Sequence, residues 1–114
     1  MTLTTMTTDN TQHLLELAIK ELEDLKGESI RQIDVQDLTP LTDKMVICTA
    51  RSPQHLKSLS DRVTQSVKRH HYSIYAVNGN PDSGWLIVDL NGIVVHLMLA
   101  EAREFYELEK LWDQ

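Results

Sequence analysis

The sequence predicts an α/β fold in which a mixed β-sheet of about five strands is flanked by three helices. Two observations carry this prediction. Residues 84–99 contain two apolar runs, rich in β-branched residues, on either side of an Asn-Gly pair, which is a strong signal for a β-hairpin. The predicted elements follow the order αββαβββα, and the one short crossover helix in that order favours a mixed sheet.

Length and composition indicate one globular domain. The chain has 114 residues, of which 41% are hydrophobic and 25% charged, as is ordinary for a single-core domain. We expect a disordered, Thr-rich tail over residues 1–11 and a single domain over residues 12–114. The N-terminus lacks a signal pattern and the apolar runs are shorter than the roughly 20 residues of a membrane span, so we expect a cytoplasmic protein without a membrane partner.

The acidic net charge bears on the class of partner. At −6, the chain is poorly suited to generic RNA binding, which depends on Lys and Arg side chains that neutralise phosphates. No sequence-specific nucleic acid partner is therefore expected. An acidic surface is better suited to docking on a basic protein, because opposite potentials speed the encounter and set the orientation.

The first predicted helix begins at a cap provided by Asn10 or Thr11 and ends at Lys26. Gly27 is expected to be the glycine that commonly follows a helix C-terminus. An apolar stripe of leucines and one alanine predicts the buried side of this helix. Glu21 is expected to face water.

The middle of the chain predicts two strands, a helix and a further strand. Residues 30–35 predict the first strand, and the nearly continuous apolar run over residues 44–50 predicts a central strand buried on both faces. Ser52 provides a capping hydroxyl before Pro53, the first residue of a second predicted helix that ends at about His70. Residues 72–77 predict the next strand, and residues 78–84 form a loop by composition.

The Asn-Gly turn at residues 91–92 sets the register of the hairpin, because a type I′ turn needs positive φ at both central residues. This register pairs Trp85 with Met98 and, closer to the turn, Asp89 with Val94. Alternation of side chains then places aliphatic residues alone on one face, which we expect in the core. These residues are Leu86, Val88, Leu90, Ile93, Val95, Leu97 and Leu99.

The last predicted helix covers residues 101–112 and closes the fold. The spacing of Phe105, Leu108 and Trp112 is that of a buried face, so these three side chains are expected in the core. Tyr106 does not share that face. We expect Tyr106 to be partly exposed beside the hairpin.

The second face of the hairpin is where we expect function, because it mixes aromatic, apolar and ionisable residues. Trp85 with Tyr106 is the best candidate for anchoring a protein partner, since exposed Trp and Tyr are enriched at interfaces. Asp89 lies diagonal to His96, and the two could orient and supply a catalytic base. We favour a cross-strand ion pair or hydrogen bond, because no nucleophile is apparent.

Sequence signals for cofactor and metal chemistry are missing. The chain has neither a GxGxxG nor a GxxxxGK[ST] pattern, and no Asp-x-Asp pair lies on a predicted strand to hold metal ions. The histidines do not pair at the i,i+4 spacing of two ligands on one helix. Cys48, the single cysteine, lies in an apolar strand and is expected to be an inert core thiol. We expect no cofactor and no metal.

Beyond these signals, residues 14–112 resemble the Iojap or RsfS family of ribosomal silencing factors. The matching segments are residues 34–35, 41–43, 46–49, 52, 55, 85–89, 94–96 and 103–112. The resemblance implies a nucleotidyltransferase-like fold without the catalytic residues. It also implies binding to the large ribosomal subunit through its fourteenth protein, at the face that meets the small subunit, so that subunit joining is blocked and translation falls when nutrients are scarce.

The leading hypothesis is therefore a non-enzymatic translation repressor, for which the resemblance also implies a homodimer. Carried over by position, Trp85, Leu90 and Tyr106 are expected to be apolar anchors, with Asp89 and His96 positioning the hairpin face. Leu90 belongs to the aliphatic face but lies beside the turn, where coverage is expected to end. The basic second helix allows a minor contact with ribosomal RNA. Two alternatives stay open: a small nucleotide-binding or nucleotidyltransferase-like enzyme, and a constitutive homodimer with a self-complementary hairpin face.

Overall fold

The computed structural model describes the backbone of residues 3–40 and 42–112 and the side chains of residues 11–40 and 42–111. It contains a five-stranded sheet with the strand order β1-β2-β5-β4-β3. The strands are β1 (Glu28–Asp34), β2 (Lys44–Ala50), β3 (Ala76–Asn80), β4 (Trp85–Asp89) and β5 (Ile93–Leu99). The helices are α1 (Leu3–Asp24), α2 (Pro53–Arg69), α3 (Ala100–Tyr106) and α4 (Leu108–Trp112), and a 3-10 turn occupies Pro81–Ser83.

The sheet is mixed, which confirms the predicted α/β class. Strands β2 and β5 run parallel, with Lys44 opposite Ile93 and Ala50 opposite Leu99, while the other neighbouring strands are antiparallel. Strand β2 has the predicted bounds and is buried from Met45 to Ala50, as expected for a strand that is covered on both faces.

Two apolar clusters cover the two faces of the sheet. The larger cluster joins the sheet to α1 and α2, and it contains the aliphatic face of the hairpin, with Leu99 partly buried at its margin. The smaller cluster contains Met98 of β5 and Leu108 of α4, with Trp85 and Ala102 packed against it. Helices α3 and α4 therefore cover the face that the first two helices leave open. Among the described residues, no helix has the length and apolar character needed to cross a bilayer.

The hairpin of β4 and β5 has the predicted register. Trp85 pairs with Met98, and Asp89 pairs with Val94. The two turn residues at positions 91–92 have φ values of 58° and 114°, which are the positive values that the Asn-Gly pair predicted. The turn sequence, together with the alternation of side chains along a strand, was sufficient to predict this register.

Helix α1 begins at Leu3, so the predicted start at a cap formed by Asn10 or Thr11 is wrong. Extending a helix that is already formed and packed costs only about 0.7 kcal/mol or less per residue, even for threonine. Packing further along the helix can therefore carry a Thr-rich segment into helical conformation. Mobility of residues 1–11 stays a prediction.

The C-terminus of α1 also differs from the prediction. The left-handed residue is Lys26, with φ of 65°, and not Gly27. The N–H of Lys26 donates to the carbonyl of Glu23, and the N–H of Gly27 donates to the carbonyl of Leu22, which together form a Schellman motif. Gly27 is needed for space, because a Cβ there would lie 2.5 Å from Sγ of Cys48.

Glu21 does not face water as predicted but is buried between α1 and α2. Its carboxylate accepts a 2.6 Å hydrogen bond from the Ser66 hydroxyl and lies 3.5 Å from the Arg62 guanidinium. The hydrogen bond from Ser66, helped by Arg62, lowers the pKa of the Glu21 carboxyl. A helical pattern read from α1 alone could not show these partners, because both belong to α2.

Strand β3 covers residues 76–80 rather than the predicted residues 72–77, and it includes part of the segment predicted as a loop. Asn and Gly usually mark turns, but Asn80 pairs with Trp85 in the ladder with β4. Gly79 has φ of 104°, and a Cβ there would collide with the Trp85 carbonyl oxygen. The glycine therefore permits a close approach between two strands instead of ending one.

The last helix is broken into α3 and α4 instead of continuing over residues 101–112. Glu107 lies between them in the left-handed conformation, with φ of 49°. Leu108 is buried in the smaller cluster as predicted, but Phe105 is 78% exposed, so its predicted place in the core is wrong. Helical spacing aligns these residues only while the helix is continuous. The side chain of Trp112 lies outside the described residues.

Candidate functional site

Trp85 begins β4 and packs against the smaller apolar cluster with its side chain partly buried. Its indole Nε1 donates a 3.0 Å hydrogen bond to Nδ1 of His96 on β5. The two ring centroids are 5.8 Å apart. Because the register places His96 opposite Ile87, the indole reaches the imidazole diagonally across the hairpin.

His96 is 7% exposed, and this burial lowers the pKa of its imidazole from 6.5 to about 4. The ring is therefore neutral at neutral pH, and its own proton lies on Nε2 because Nδ1 accepts from the indole. The predicted contact between Asp89 and His96 is wrong. The Asp89 carboxylate accepts instead from the backbone N–H of Asn91 at 2.9 Å, a closer donor that the turn itself supplies.

Tyr106, near the break between α3 and α4, packs on Trp85 with the ring centroids 4.8 Å apart. Phe105 contacts Tyr106 edge to face, at a centroid distance of 4.9 Å. Tyr106 is 51% exposed, which confirms the partly exposed position predicted beside the hairpin. We refer to Trp85, Phe105 and Tyr106 together as the aromatic surface.

Arg103 holds α3 against the sheet. Its Nε donates to the Glu109 carboxylate at 2.7 Å, and its Nη1 donates to the Ser29 carbonyl at 2.7 Å and to the Thr49 hydroxyl at 2.8 Å. The hydrogen bond from Arg103 keeps the pKa of the Glu109 carboxyl below its usual value. We refer to these contacts as the Arg103 clasp. Sequence reasoning missed the clasp, because its partners lie on β1, β2 and α4 without any local spacing that would reveal them.

The structure brings together only part of the predicted binding site. His96, Trp85 and Tyr106 form a continuous chain of contacts, whereas Asp89 ends β4 beside the hairpin turn. Leu90 is 2% exposed and belongs to the larger core cluster. The aliphatic face is therefore covered as far as the turn, contrary to the prediction for Leu90. The exposed apolar side chain beside Trp85 and Tyr106 is instead that of Phe105.

Two other side chains that could take part in chemistry, those of Cys48 and His55, have structural roles. Burial raises the pKa of the Cys48 thiol to about 11, so the thiol is inert as predicted. His55 accepts a hydrogen bond from the Arg51 backbone N–H and donates one to the Leu25 carbonyl, tying the start of α2 to the end of α1. Within residues 11–40 and 42–111, no cluster of three or more His, Cys, Asp or Glu side chains is arranged to hold a metal ion.

The fold and the site together define a small α/β domain whose distinctive feature is an exposed aromatic surface beside a buried, neutral histidine. The chain belongs to the ribosomal silencing factor family. The family model described as "Ribosomal silencing factor during starvation" matches residues 8–114. This match confirms the resemblance that the sequence motifs indicated.

Individual relatives agree with this assignment. The ribosomal silencing factor RsfS of Haemophilus influenzae is 35% identical over 99 residues, covering 87% of this chain and 97% of that protein. The RsfS protein of Chromobacterium violaceum is 36% identical over 101 residues, covering 89% and 83%. A mouse protein named "Mitochondrial assembly of ribosomal large subunit protein 1" is 36% identical over 94 residues, covering 77% of this chain and 41% of that one.

Solved structures show the same fold. A crystal structure of a Chromobacterium violaceum protein superposes with a TM-score of 0.86 at 35% identity, covering 90% of this chain and 85% of the other. A crystal structure from Bacillus halodurans superposes with a TM-score of 0.80 at 27% identity, covering 89% and 94%. The mixed five-stranded sheet is therefore shared with experimentally determined structures.

Proposed function

We propose that this chain represses translation by binding the large ribosomal subunit, without catalysing a reaction. Family membership and the names of its relatives support the ribosome as the place of action. The partner we propose is the fourteenth protein of the large subunit, at the face that meets the small subunit. The setting is the cytoplasm under nutrient limitation.

The observation that carries this proposal is the aromatic surface. Phe105 and Tyr106 are 78% and 51% exposed, and the ring of Tyr106 packs against the partly buried indole of Trp85. Contacting aromatic rings present a large, rigid apolar area, and Trp and Tyr are enriched among the residues that dominate interface energies. A partner that covers these rings removes apolar area from water without requiring the domain to rearrange.

The net charge of −6 supports a protein rather than RNA as the main contact. Phosphate groups would be repelled by an acidic domain, whereas a basic ribosomal protein would be attracted to it. Any contact between the basic residues of α2 and ribosomal RNA is expected to be minor.

The predicted site residues receive different roles in this proposal. Trp85 and Tyr106 act as anchors together with Phe105, and His96 orients the indole through its hydrogen bond. Asp89 orders the hairpin turn from outside the aromatic surface. Leu90 supports the same turn from inside the core.

Repression then follows from steric exclusion. Two partners cannot occupy one surface, so the small subunit and this domain compete for the large subunit. The degree of repression depends on the concentration of the domain relative to its dissociation constant. No bond needs to be made or broken.

Sedimentation with large subunits tests the proposal. Tyr106→Glu places a charge within the aromatic surface and should weaken binding at least about tenfold, so that the variant no longer comigrates with the large subunit on a density gradient. Tyr75→Glu is the matched control, because Tyr75 is 74% exposed and lies far from the aromatic surface. Its backbone N–H donates to the Asp89 carbonyl, and Asp89 and Trp85 are at the two ends of β4. This control should comigrate like the wild-type protein.

Equal comigration of both variants would remove the aromatic surface from the proposal. Loss of comigration by Tyr75→Glu alone would move the contact to the hairpin-turn end of the sheet. We also propose that the free protein forms a homodimer, and light scattering of the same variants tells whether pairing uses the aromatic surface.

A further inference from the structure

The aromatic surface borders a cavity of about 400 Å³ between the 3-10 turn and α3. Gly84, with φ of 84°, Leu99 and Ala102 line one side of the cavity, and the Leu99 and Ala102 side chains make that side apolar. Phe105 and Tyr106 supply ring surface on the side of α3. The cavity can therefore receive a long apolar stem.

The charges that line this cavity are all negative. Asp82 and Glu101 are both exposed, and neither forms an ion pair with another described residue. The cations of α3 and α4 are engaged elsewhere, because Arg103 is held in its clasp and Lys110 pairs with Glu107 at 2.9 Å. No cationic side chain among the described residues lines the cavity to balance Asp82 and Glu101.

We infer that this cavity receives an arginine or lysine side chain of the protein partner, an inference that rests on the proposed function. Such side chains combine an apolar stem with a cationic end. The stem covers Leu99 and Ala102, and the cation lies near the ring faces and the carboxylates of Asp82 and Glu101. Arginine fits best, because its planar group stacks on rings and binds carboxylates through two hydrogen bonds.

Other ligand classes fit these features less well. A nucleotide or free phosphate would meet two carboxylates and no compensating cation in the lining. A purely apolar segment would cover the same carboxylates and leave them without the water that solvates them. A cation carried on an apolar stem satisfies both parts of the cavity.

The test removes the two carboxylates without changing shape. Asp82→Asn with Glu101→Gln should weaken binding to purified large subunits about tenfold at low salt, as expected when charged pairs at an interface are lost. The matched control is Glu23→Gln with Asp24→Asn, which removes the same charge from two exposed residues of α1. Both double variants should melt near the wild-type temperature, because all four side chains are exposed.

Salt dependence separates a specific contact from general charge. Raising the salt concentration from about 0.05 to 0.3 M screens exposed charge, so the affinity of the wild type and of the α1 control should fall together. The affinity of the cavity variant should fall less, because it has already lost the contact. If both double variants bind alike, the inference is wrong while Tyr106→Glu still tests the proposed function. If the wild-type protein does not bind large subunits, both this inference and the proposed function are wrong.

Discussion

At the scale of single residues, the pair of Trp85 and His96 connects a buried group to the exposed surface. The indole N–H donates a hydrogen bond to Nδ1 of His96, so both polar atoms of this contact have a hydrogen-bond partner inside the domain. The ring of Tyr106 then packs, tilted, against the indole whose orientation this hydrogen bond sets. A charged imidazole would have no proton-free Nδ1 to accept the bond. The geometry of the aromatic surface therefore depends on a neutral His96.

The free energy of unfolding should accordingly increase with pH between about 4 and 6.5. The folded pKa of His96 is about 4 and the ordinary value is 6.5, so the unfolded chain binds more protons in this range. The resulting stability is at most about 3 kcal/mol, fully present above pH 6.5 and lost as the pH falls to 4. Urea unfolding of wild-type protein and His96→Gln at several pH values measures the difference.

A comparison between pH 5 and 6.5 isolates this effect. Glu21, Asp34 and Glu109 also have lowered pKa values, but their ordinary values are 4.5 or below, so they lose their contribution at more acidic pH. The variant should show a smaller increase of stability over this range than the wild type. Parallel curves for the two proteins would contradict the assignment of the increase to His96.

Gly27 offers a second prediction at this scale. Alanine there would place its Cβ 2.5 Å from Sγ of Cys48 and 3.0 Å from the Leu22 carbonyl oxygen, so Gly27→Ala should destabilise the domain by about 1–3 kcal/mol. Adding Cys48→Ala removes one of the colliding atoms. The double variant should therefore lose less stability in urea unfolding than the two single variants summed. Simple additivity would show that the sulfur is not the obstacle.

At the scale of elements, the break between α3 and α4 depends on the Arg103 clasp. Glu107 adopts the left-handed conformation, which costs roughly 1–2 kcal/mol for a residue with a side chain. The clasp joins both helices to the sheet through Glu109, Ser29 and Thr49. Tertiary contacts thus hold a backbone conformation that local preference opposes.

Replacing Arg103 should loosen both short helices. Arg103→Met removes three hydrogen bonds from a charged, mostly buried donor and should cost about 2–4 kcal/mol in urea unfolding. Hydrogen exchange at the amides of α4 should accelerate in the same variant. Lys110→Met is the matched control, because its ion pair with Glu107 is exposed and should contribute less than about 1 kcal/mol. Equal losses for the two variants would argue against the clasp.

The sequence alone predicts some elements better than others. The reason is how far apart in the sequence the residues that determine each element lie. The hairpin was predicted to the residue, since the turn at positions 91–92 and the alternation beside it are local. The break at Glu107 was missed because Arg103 acts over long distances in sequence. The strand at residues 76–80 was misplaced because Gly79 permits strand contact while its composition resembles a loop.

At the scale of the whole molecule, the sequence predicts only part of the candidate site. Trp85 and Tyr106 were predicted as a pair, because the hairpin register and the helical phase each leave one aromatic residue outside the core. Helical spacing predicts Phe105 in the core, but that spacing holds only for a continuous helix, and the helix is broken at Glu107. Leu90 was expected near the surface, but the sheet and helices α1 and α2 cover the hairpin as far as its turn. Packing between distant elements decided both outcomes.

A test of the enzyme alternative also belongs to the whole molecule. We expect no increase in melting temperature when nucleoside triphosphates and magnesium are added to the full chain. A ligand at 100 times its dissociation constant would add about 2.7 kcal/mol of stability, which thermal denaturation readily detects. A reproducible increase with any of the four nucleotides would favour a nucleotide-binding enzyme. This assay contains no large subunits, so its result does not depend on ribosome binding.

Helix α3 starts at Ala100, directly after Leu99 ends β5. With no linker between them, the rings that α3 displays cannot shift without moving a strand that lies between two neighbours inside the sheet. We therefore expect binding at the aromatic surface to be coupled to the stability of the sheet. Core substitutions remote from any partner should weaken association, and an occupied surface should slow the opening of the strands beneath it.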